Sequence, residues 1–342
     1  MTGSNTPDTS PIDVVITWVD GDDPKLKARR NSFLHNGEDR HDDVAGNTRY
    51  ASVGEIYLCL ASINRFAPFV RRIFIVTDGQ TPPLLDAFLQ SNFPDGYIPY
   101  EIVDHSTIFA GHEERLPIFN SRAIETMLWR IPGLSERYIY FNDDVMLLSP
   151  ITPDDFFVGD ATCCYAKPYS TRMARFLHLL KRRKDGHKPM GFKLSLMNAM
   201  QYAGHRRRFL FLLHTPMALR RNRQEQLFER FPEAIETNIS QRFRHPSQFN
   251  PQELFYLTEQ QCGRCIVKDS HANVFYFKPH EGPRYMQRKV KELTHTKALF
   301  ACFNSLDQAS AEDRERIVQC LTQRIGCQFG TQAIEDTSNN CK

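Results

Sequence analysis

Four short apolar runs punctuate the first half of the chain and alternate with segments of helical periodicity. Asp13-Val-Val-Ile-Thr-Trp-Val19, Arg72-Ile-Phe-Ile-Val-Thr77, Glu101-Ile-Val103 and Tyr138-Ile-Tyr-Phe141 carry apolar residues at consecutive positions, the pattern of strands buried on both faces. Between them, Val53, Ile56, Tyr57, Leu60 and Ile63 fall at helical spacing as far as Ala67-Pro68. Leu84, Leu85, Phe88 and Leu89 follow Pro82-Pro83, which suits a helix start. Ile124, Met127, Leu128 and Ile131 share one face of a helix capped by Asn120 or Ser121 and broken at Pro132-Gly133. This alternation predicts βαβ units, hence an α/β fold with a Rossmann-like, mainly parallel central sheet flanked by helices.

The second half reads differently. Asp160 to Pro168 predicts a further strand, and residues 171–235 read as a helical, strongly basic insertion carrying Lys181-Arg-Arg-Lys184, Arg206-Arg-Arg208, Arg220, Arg221 and Arg223. Such runs are usually solvated faces, but they also suit an anionic polymer or acidic lipid. Ile266 and Val267 with Val274, Phe275 and Phe277 predict a last strand pair, and Ile317, Leu321 and Ile325 a helix over about 311–325. Residues 1–11 are expected to be a loose arm, 25–50 an exposed mobile connection, and 331–342 a disordered tail. One catalytic domain, 12–330, remains, with no internal repeat.

Composition narrows the class. With 342 residues, 41% of them hydrophobic, the chain can bury one large core or two moderate ones. Lys and Arg number 43 against 40 acids, a balance that argues against a nucleic-acid partner. No stretch approaches a membrane span, and Met1 to Ser10 lacks a basic and apolar leader pattern, so the chain is expected to stay in the compartment where it is made. The nine cysteines are odd in number and scattered, which favours reduced thiols. Cys262-Gly-Arg-Cys265 has metal or redox spacing, yet His271 and His280 do not complete a familiar zinc pattern. Cys163 and Cys164 read as small core residues.

The chemistry concentrates at strand ends. All four runs are followed by an acid, Asp20, Asp78, Asp104 and Asp143, and parallel strands bring such ends to one edge. Any one of these acids is most simply an Asx turn or cap, and Asn142-Asp143-Asp144 is itself good turn material. Four together, with Asp143 and Asp144 adjacent, favour a cation and phosphate site, because paired carboxylates repel unless compensated. His214 precedes Pro216 on extended backbone, where a lone His is more often structural than catalytic. Arg242 and Arg244 have the side chain best shaped to grip phosphate.

Several stretches resemble the Stealth family, bacterial capsular-polysaccharide hexose-1-phosphate transferases related to the catalytic part of the Golgi N-acetylglucosamine-1-phosphotransferase. Ile12-Asp-Val-Val-Ile-Thr-Trp-Val-Asp-Gly21 is similar to the first conserved block. Ser62 to Pro68, Arg72 to Gln80, Leu116 to Ser121, Ala123-Ile-Glu125, Ile131 to Glu136 and Phe141-Asn-Asp-Asp144 resemble the second. His214-Thr-Pro216 with Arg242-Phe-Arg244 resembles the third, and Phe300-Ala-Cys-Phe-Asn304 the fourth. Two departures stand out: Ser305 follows Asn304 where relatives usually carry Asp, and Ala61 stands where they tend to have Arg.

The resemblance implies transfer of a hexose-1-phosphate or N-acetylhexosamine-1-phosphate from a UDP-sugar to a capsule oligosaccharide or polysaccharide hydroxyl. It implies catalytic roles for Asp143, Asp144, His214 and Arg244, and donor contacts from Asp20, Gly21, Asp78, Asn120, Ser121 and Arg242. Mg2+ or Mn2+ would be held by Asp143, Asp144 and Asn304, with Asp307 supplying the ligand that Ser305 lacks. A cytoplasmic place follows, peripheral to the inner membrane and its capsule-assembly proteins. Two alternatives stay open: a metal-dependent glycosyltransferase that releases UDP, and a non-catalytic polysaccharide-binding protein.

Overall fold

The four apolar runs lie side by side, as their two-sided hydrophobicity requires. The computed structural model describes residues 9–35, 54–173, 191–205, 207–278 and 282–329. In it β1 (Ile12–Thr17), β2 (Val70–Thr77), β3 (Tyr100–Asp104) and β4 (Arg137–Asn142) form a parallel sheet in the order β3-β2-β1-β4. The register sets Thr17 beside both Val76 and Asn142, and Thr77 beside Asp104, so the carboxyl ends stand level along one edge. On one face Val14, Ile16, Ile73, Ile75, Ile139 and Phe141 pack with the helix Glu55–Phe66. On the other, Val15, Phe74, Val76, Tyr138 and Tyr140 pack with the helix Ser121–Met127. The sheet thus separates two apolar cores.

Among the described residues eight further strands complete the fold: β5 (Val145–Leu147), β6 (Phe157–Val158), β7 (Ala161–Ser170), β8 (Arg208–Leu212), β9 (Met217–Arg220), β10 (Cys265–Lys268), β11 (Val274–Phe277) and β12 (Phe300–Phe303). β9 closes the main sheet antiparallel to β4. A second sheet runs β10-β7-β6 with β8 also on β7, and a third runs β11-β12-β5. Among the described residues no helix is long and apolar enough to cross a membrane.

The basic stretch 171–235 is helical only in part. It contains the helices Gly191–Tyr202, Arg221–Arg230 and Pro232–Ile239, but β8 and β9 lie between them. Their apolar runs are short and flanked by Arg, so pattern alone did not separate them from helix; burial against β7 and β4 decides the matter. Lys181-Arg-Arg-Lys184 and Arg206 lie outside the described residues, as do most of the 1–11 arm and the 331–342 tail. In the 25–50 connection the described part is a helix, Pro24–His35. Its hydrophobic pattern is weak because its apolar contacts are confined to Leu26, Phe33 and Leu34, near Phe119 and Phe243, while Arg29 pairs with Asp78. β10 and β11 do not pair with each other; the short helix Ser270–Asn273 separates them, and they join β7 and β12. The helix Ala311–Ile325 buries Ile317, Leu321 and Ile325 as expected.

One buried charge holds the start of the sheet. Asp13, fully buried in β1, accepts from Arg71 Nε at 2.8 Å, from Arg71 Nη2 at 2.7 Å and from the backbone N–H of Ser135 at 2.7 Å. Both of its oxygens are therefore engaged, across β1, β2 and the approach to β4. Since the Arg71 side chain is 45% exposed, water screens part of the pairing. Asp13→Ala should still cost about 2 kcal/mol through the stranded Ser135 donor and the lost ion pair. A urea midpoint unchanged from wild type would refute that assignment.

Candidate active site

β4 ends at Asn142 and β5 begins at Val145, so the chain passes from the main sheet to the third sheet through two residues, both acids. The junction is locked from the backbone: Phe303 N–H donates to the Asp144 carbonyl at 3.0 Å. The Cys302 thiol faces the Asp144 side chain, with Sγ 3.6 Å from Oδ2, while Asp144 Oδ1 is buried without a hydrogen-bond partner. Glu55, at the start of the helix that packs on β5, adds a third carboxylate to this corner. Burial, then the charges of Asp144 and Glu55, hold the Asp143 pKa well above the ordinary carboxylate range. Burial, then the charges of Asp143 and Asp144, push the Cys59 thiol up.

His214 sits in the link from β8 to β9, where the chain crosses from the second sheet to the first. Its ring lies 6.2 Å from that of Phe192, and its Nδ1 is buried without a partner. Asp144, His214 and Cys302 offer ligand atoms that all lie within 4.8 Å of one another. Among the described residues they are the only three His, Cys, Asp or Glu side chains to do so.

Opposite this corner, Asn120 caps the helix Ser121–Met127 by accepting from Ala123 N–H, and Arg244 Nη2 donates to Ser121 Oγ at 3.1 Å. Gln248 secures the loop that carries Arg244, donating to Asn120 Oδ1 at 3.1 Å and to the Asn238 carbonyl at 2.9 Å. On the same helix Glu125 accepts from Tyr140 at 3.2 Å. Burial raises the Glu125 pKa, opposed by the nearby Arg244 charge and its hydrogen bonds.

Between these two walls lies one cleft of about 660 Å³ at the carboxyl ends of the parallel strands. Asp78, Asn120, Ser121, Asp143, Asp144, His214, Arg244, Asn304 and Asp307 all reach it. Asp20, Gly21, Asp104 and Arg242 are not among its lining residues. Asp20 accepts from Asp22 N–H at 2.9 Å, and Asp104 accepts from Ser106 and Gly79 N–H, both at 2.8 Å, so the simple turn and cap readings hold for these two. Arg242 donates to the Pro117 carbonyl at 3.0 Å and lies over Phe33, bracing the neighbouring loops. Asp78 pairs with Arg29 near His105, whose pKa burial lowers against the pull of Asp78 and Asp104.

Glu55, His105, Glu125 and Cys302 also line or border the site without having been singled out for chemistry. Glu125 and Cys302 fall inside stretches that carry the family resemblance, but only the folded contacts reveal what they face. The Cys262 and Cys265 pair lies elsewhere, at the start of β10, and among the described residues gathers no metal-ligand cluster. Ser305 adopts φ 59°, a left-handed conformation that Asn and Asp tolerate better than Ser, and its hydroxyl donates to Asn304 Oδ1 at 3.0 Å.

The raised Asp143 pKa has a direct consequence for stability. A carboxyl whose pKa rises on folding stabilises the native state below the ordinary carboxylate range. That contribution is lost as pH climbs from there toward the raised value. Asp143→Asn should therefore stabilise the metal-free protein by about 1 kcal/mol at pH 7, with the gain shrinking toward pH 4. Thermal unfolding at both pH values checks this; a variant no more stable than wild type at pH 7 would contradict it.

Comparison with known proteins agrees with the sequence resemblance. Residues 10–38 match the model for Stealth protein conserved region 1, and residues 49–164 that for conserved region 2. An exopolysaccharide phosphotransferase of Streptomyces coelicolor is 35% identical over 261 residues, covering 76% of this chain and 42% of that protein. The capsular polysaccharide phosphotransferase fcs1 of Haemophilus influenzae is 32% identical over 296 residues, covering 80% of this chain and 74% of its own length. The chain thus spans less than half of the Streptomyces relative and about three quarters of the Haemophilus one. Among solved structures, the galactosyltransferase LgtC aligns over 91% of this chain and 95% of its own with a TM-score of 0.45 and 14% identity, too low to bear on the site. The two matched regions and the extent of the Haemophilus alignment together make the chain a member of the Stealth family.

Proposed function

We propose that the chain transfers a sugar-1-phosphate as a unit from a UDP-hexose or UDP-N-acetylhexosamine to a hydroxyl of a capsular or exopolysaccharide acceptor. The names of its relatives, exopolysaccharide and capsular polysaccharide phosphotransferases, point the same way. One observation carries the reading: Asp143, Asp144, His214 and Arg244, from three separate parts of the chain, face one cleft of a size suited to a small-molecule ligand.

In the proposed reaction the acceptor oxygen attacks the β-phosphorus of the donor. A new phosphorus–oxygen bond forms, the bond from the β-phosphorus to the bridging oxygen breaks, and UMP leaves with that electron pair. His214, whose ring lines the cleft, takes the acceptor proton on its imidazole. Arg244, steadied by Ser121, holds the non-bridging phosphate oxygens. Trp18, Ile118, Phe119 and Leu213 give the cleft an apolar wall against which the donor is oriented.

The corner at the β4–β5 junction fits a divalent cation, Mg2+ or Mn2+. Asp144 Oδ1 is orphaned there, Asp143 is crowded by like charge, and Asn304 and Asp307 line the same cleft. These four residues would hold it, and when bound it would neutralise pyrophosphate charge. A peripheral place at the cytoplasmic face of the inner membrane, beside capsule-assembly proteins, belongs to the same reading.

The test is the identity of the released nucleotide. Purified protein with Mg2+, a panel of UDP-sugars and capsule oligosaccharides should yield UMP. His214→Ala and Asp143→Ala, shown by circular dichroism to be folded, should lower that yield roughly 100-fold or more. Release of UDP instead would replace this reading with ordinary glycosyl transfer.

A further inference from the structure

We infer that Asp144, His214 and Cys302 form a binding site for a thiolate-seeking divalent cation, Zn2+ above all, on the wall of the cleft. Three different elements supply the ligands: the β4–β5 junction, the β8–β9 link and β12. Their ligand atoms already lie within 4.8 Å of one another. The Asp144 Oδ2 to Cys302 Sγ separation of 3.6 Å is close to the edge of a zinc tetrahedron, roughly 3.5 Å for metal bonds of about 2.0 Å to oxygen and 2.3 Å to sulfur.

Two of the three residues also carry orphaned polar atoms. Asp144 Oδ1 and His214 Nδ1 are both buried without partners, and polar atoms so placed are costly unless something fills the gap. Cys302 is fully buried in a strand whose neighbours Ala301 and Phe303 are ordinary core residues, yet its sulfur faces a carboxylate. A carboxylate, an imidazole and a thiol form the donor set of a transition metal, whereas Mg2+ seeks oxygen alone. Both Asp144 and His214 line the cleft, so three protein ligands leave the fourth position for water or a small ligand.

On binding, the Cys302 S–H bond is replaced by a sulfur–metal bond and the proton leaves to solvent. An ion so held engages both Asp144 and His214, so its presence would silence the chemistry proposed for them. The site itself needs only the three side chains and does not depend on the transferase reading.

Cobalt is the probe, because thiolate ligation produces a near-ultraviolet charge-transfer absorption that oxygen and nitrogen ligands do not. In a Cys262→Ser/Cys265→Ser background, which removes the accessible thiol pair, titration of metal-free protein with Co2+ should give that band together with the visible bands of a four-coordinate site. Cys302→Ser should abolish the charge-transfer band. His214→Gln, a change at the cleft wall that spares the buried strand, should weaken Co2+ binding at least tenfold. Zn2+ should displace the cobalt and raise the thermal unfolding midpoint of the parent but not of His214→Gln. Absence of the band in the parent, its persistence in Cys302→Ser, or unchanged affinity in His214→Gln would overturn the site, whatever nucleotide the enzyme releases.

Discussion

Mutual repulsion among Asp143, Asp144 and Glu55 is the constraint around which the molecule is arranged. Three carboxylates share one partly enclosed corner, and burial together with like charge raises the Asp143 pKa. Such a corner lowers the stability of the ligand-free fold, so the rest of the chain must hold it in place against its own electrostatics. The holding is done by the apolar cores on either face of the sheet and by the backbone bond from Phe303 to Asp144. A fold that keeps acids together at a cost in stability is most simply explained by a cationic or phosphate-bearing ligand that offsets the repulsion.

Three sheets meet where that ligand would sit, and the key residues lie where the chain leaves one sheet for another. Asp143 and Asp144 occupy the β4–β5 junction, His214 the β8–β9 link, and Asn304 to Asp307 the exit from β12. None of these positions depends on a long free loop. Phe300 of β12 packs edge-on against Tyr165 of β7 at 4.9 Å and near Phe156, tying the second and third sheets through an aromatic core. Side chains carried by short links between rigid sheets keep their mutual distances far better than side chains on mobile loops. The arrangement also lets Arg244 be placed independently, through the Ser121 and Gln248 contacts on the opposite wall.

Much of this was legible from residue patterns because two-sided burial leaves an unmistakable trace. Consecutive apolar residues in β1, β2 and β4 located the sheet, and the rule that parallel strands bring their carboxyl ends to one edge located the cleft. The acids then divided in a way that sequence could not resolve. Asp143 and Asp144 reach the cleft, while Asp20 and Asp104 satisfy backbone N–H groups in their own turns. The distinction rests on which way a carboxylate faces after a turn of two or three residues. Elements stabilised mainly by tertiary contact were harder to see. β8 and β9 are four or five residues each, flanked by arginines, and the helix Pro24–His35 docks through only a few apolar side chains. Glu55, Glu125 and Cys302 gain their significance only from neighbours far away in the chain.

Ser305 connects the electrostatic corner to its choice of cation. The residue sits at φ 59°, where Asp or Asn would be more at ease, yet its side chain supplies a hydroxyl that is turned to Asn304. A hydroxyl there adds no charge to the repulsion around Asp143 and Asp144, and it offers no carboxylate to a cation. What remains within reach of Asp144 is weighted toward the imidazole of His214 and the thiol of Cys302. A hard ion such as Mg2+ gains nothing from those two donors, whereas a borderline ion such as Zn2+ finds in them its preferred ligands. The corner therefore sets one nitrogen and one sulfur donor beside the carboxylates of the same cleft, and the chemistry of the ion decides which of them it uses.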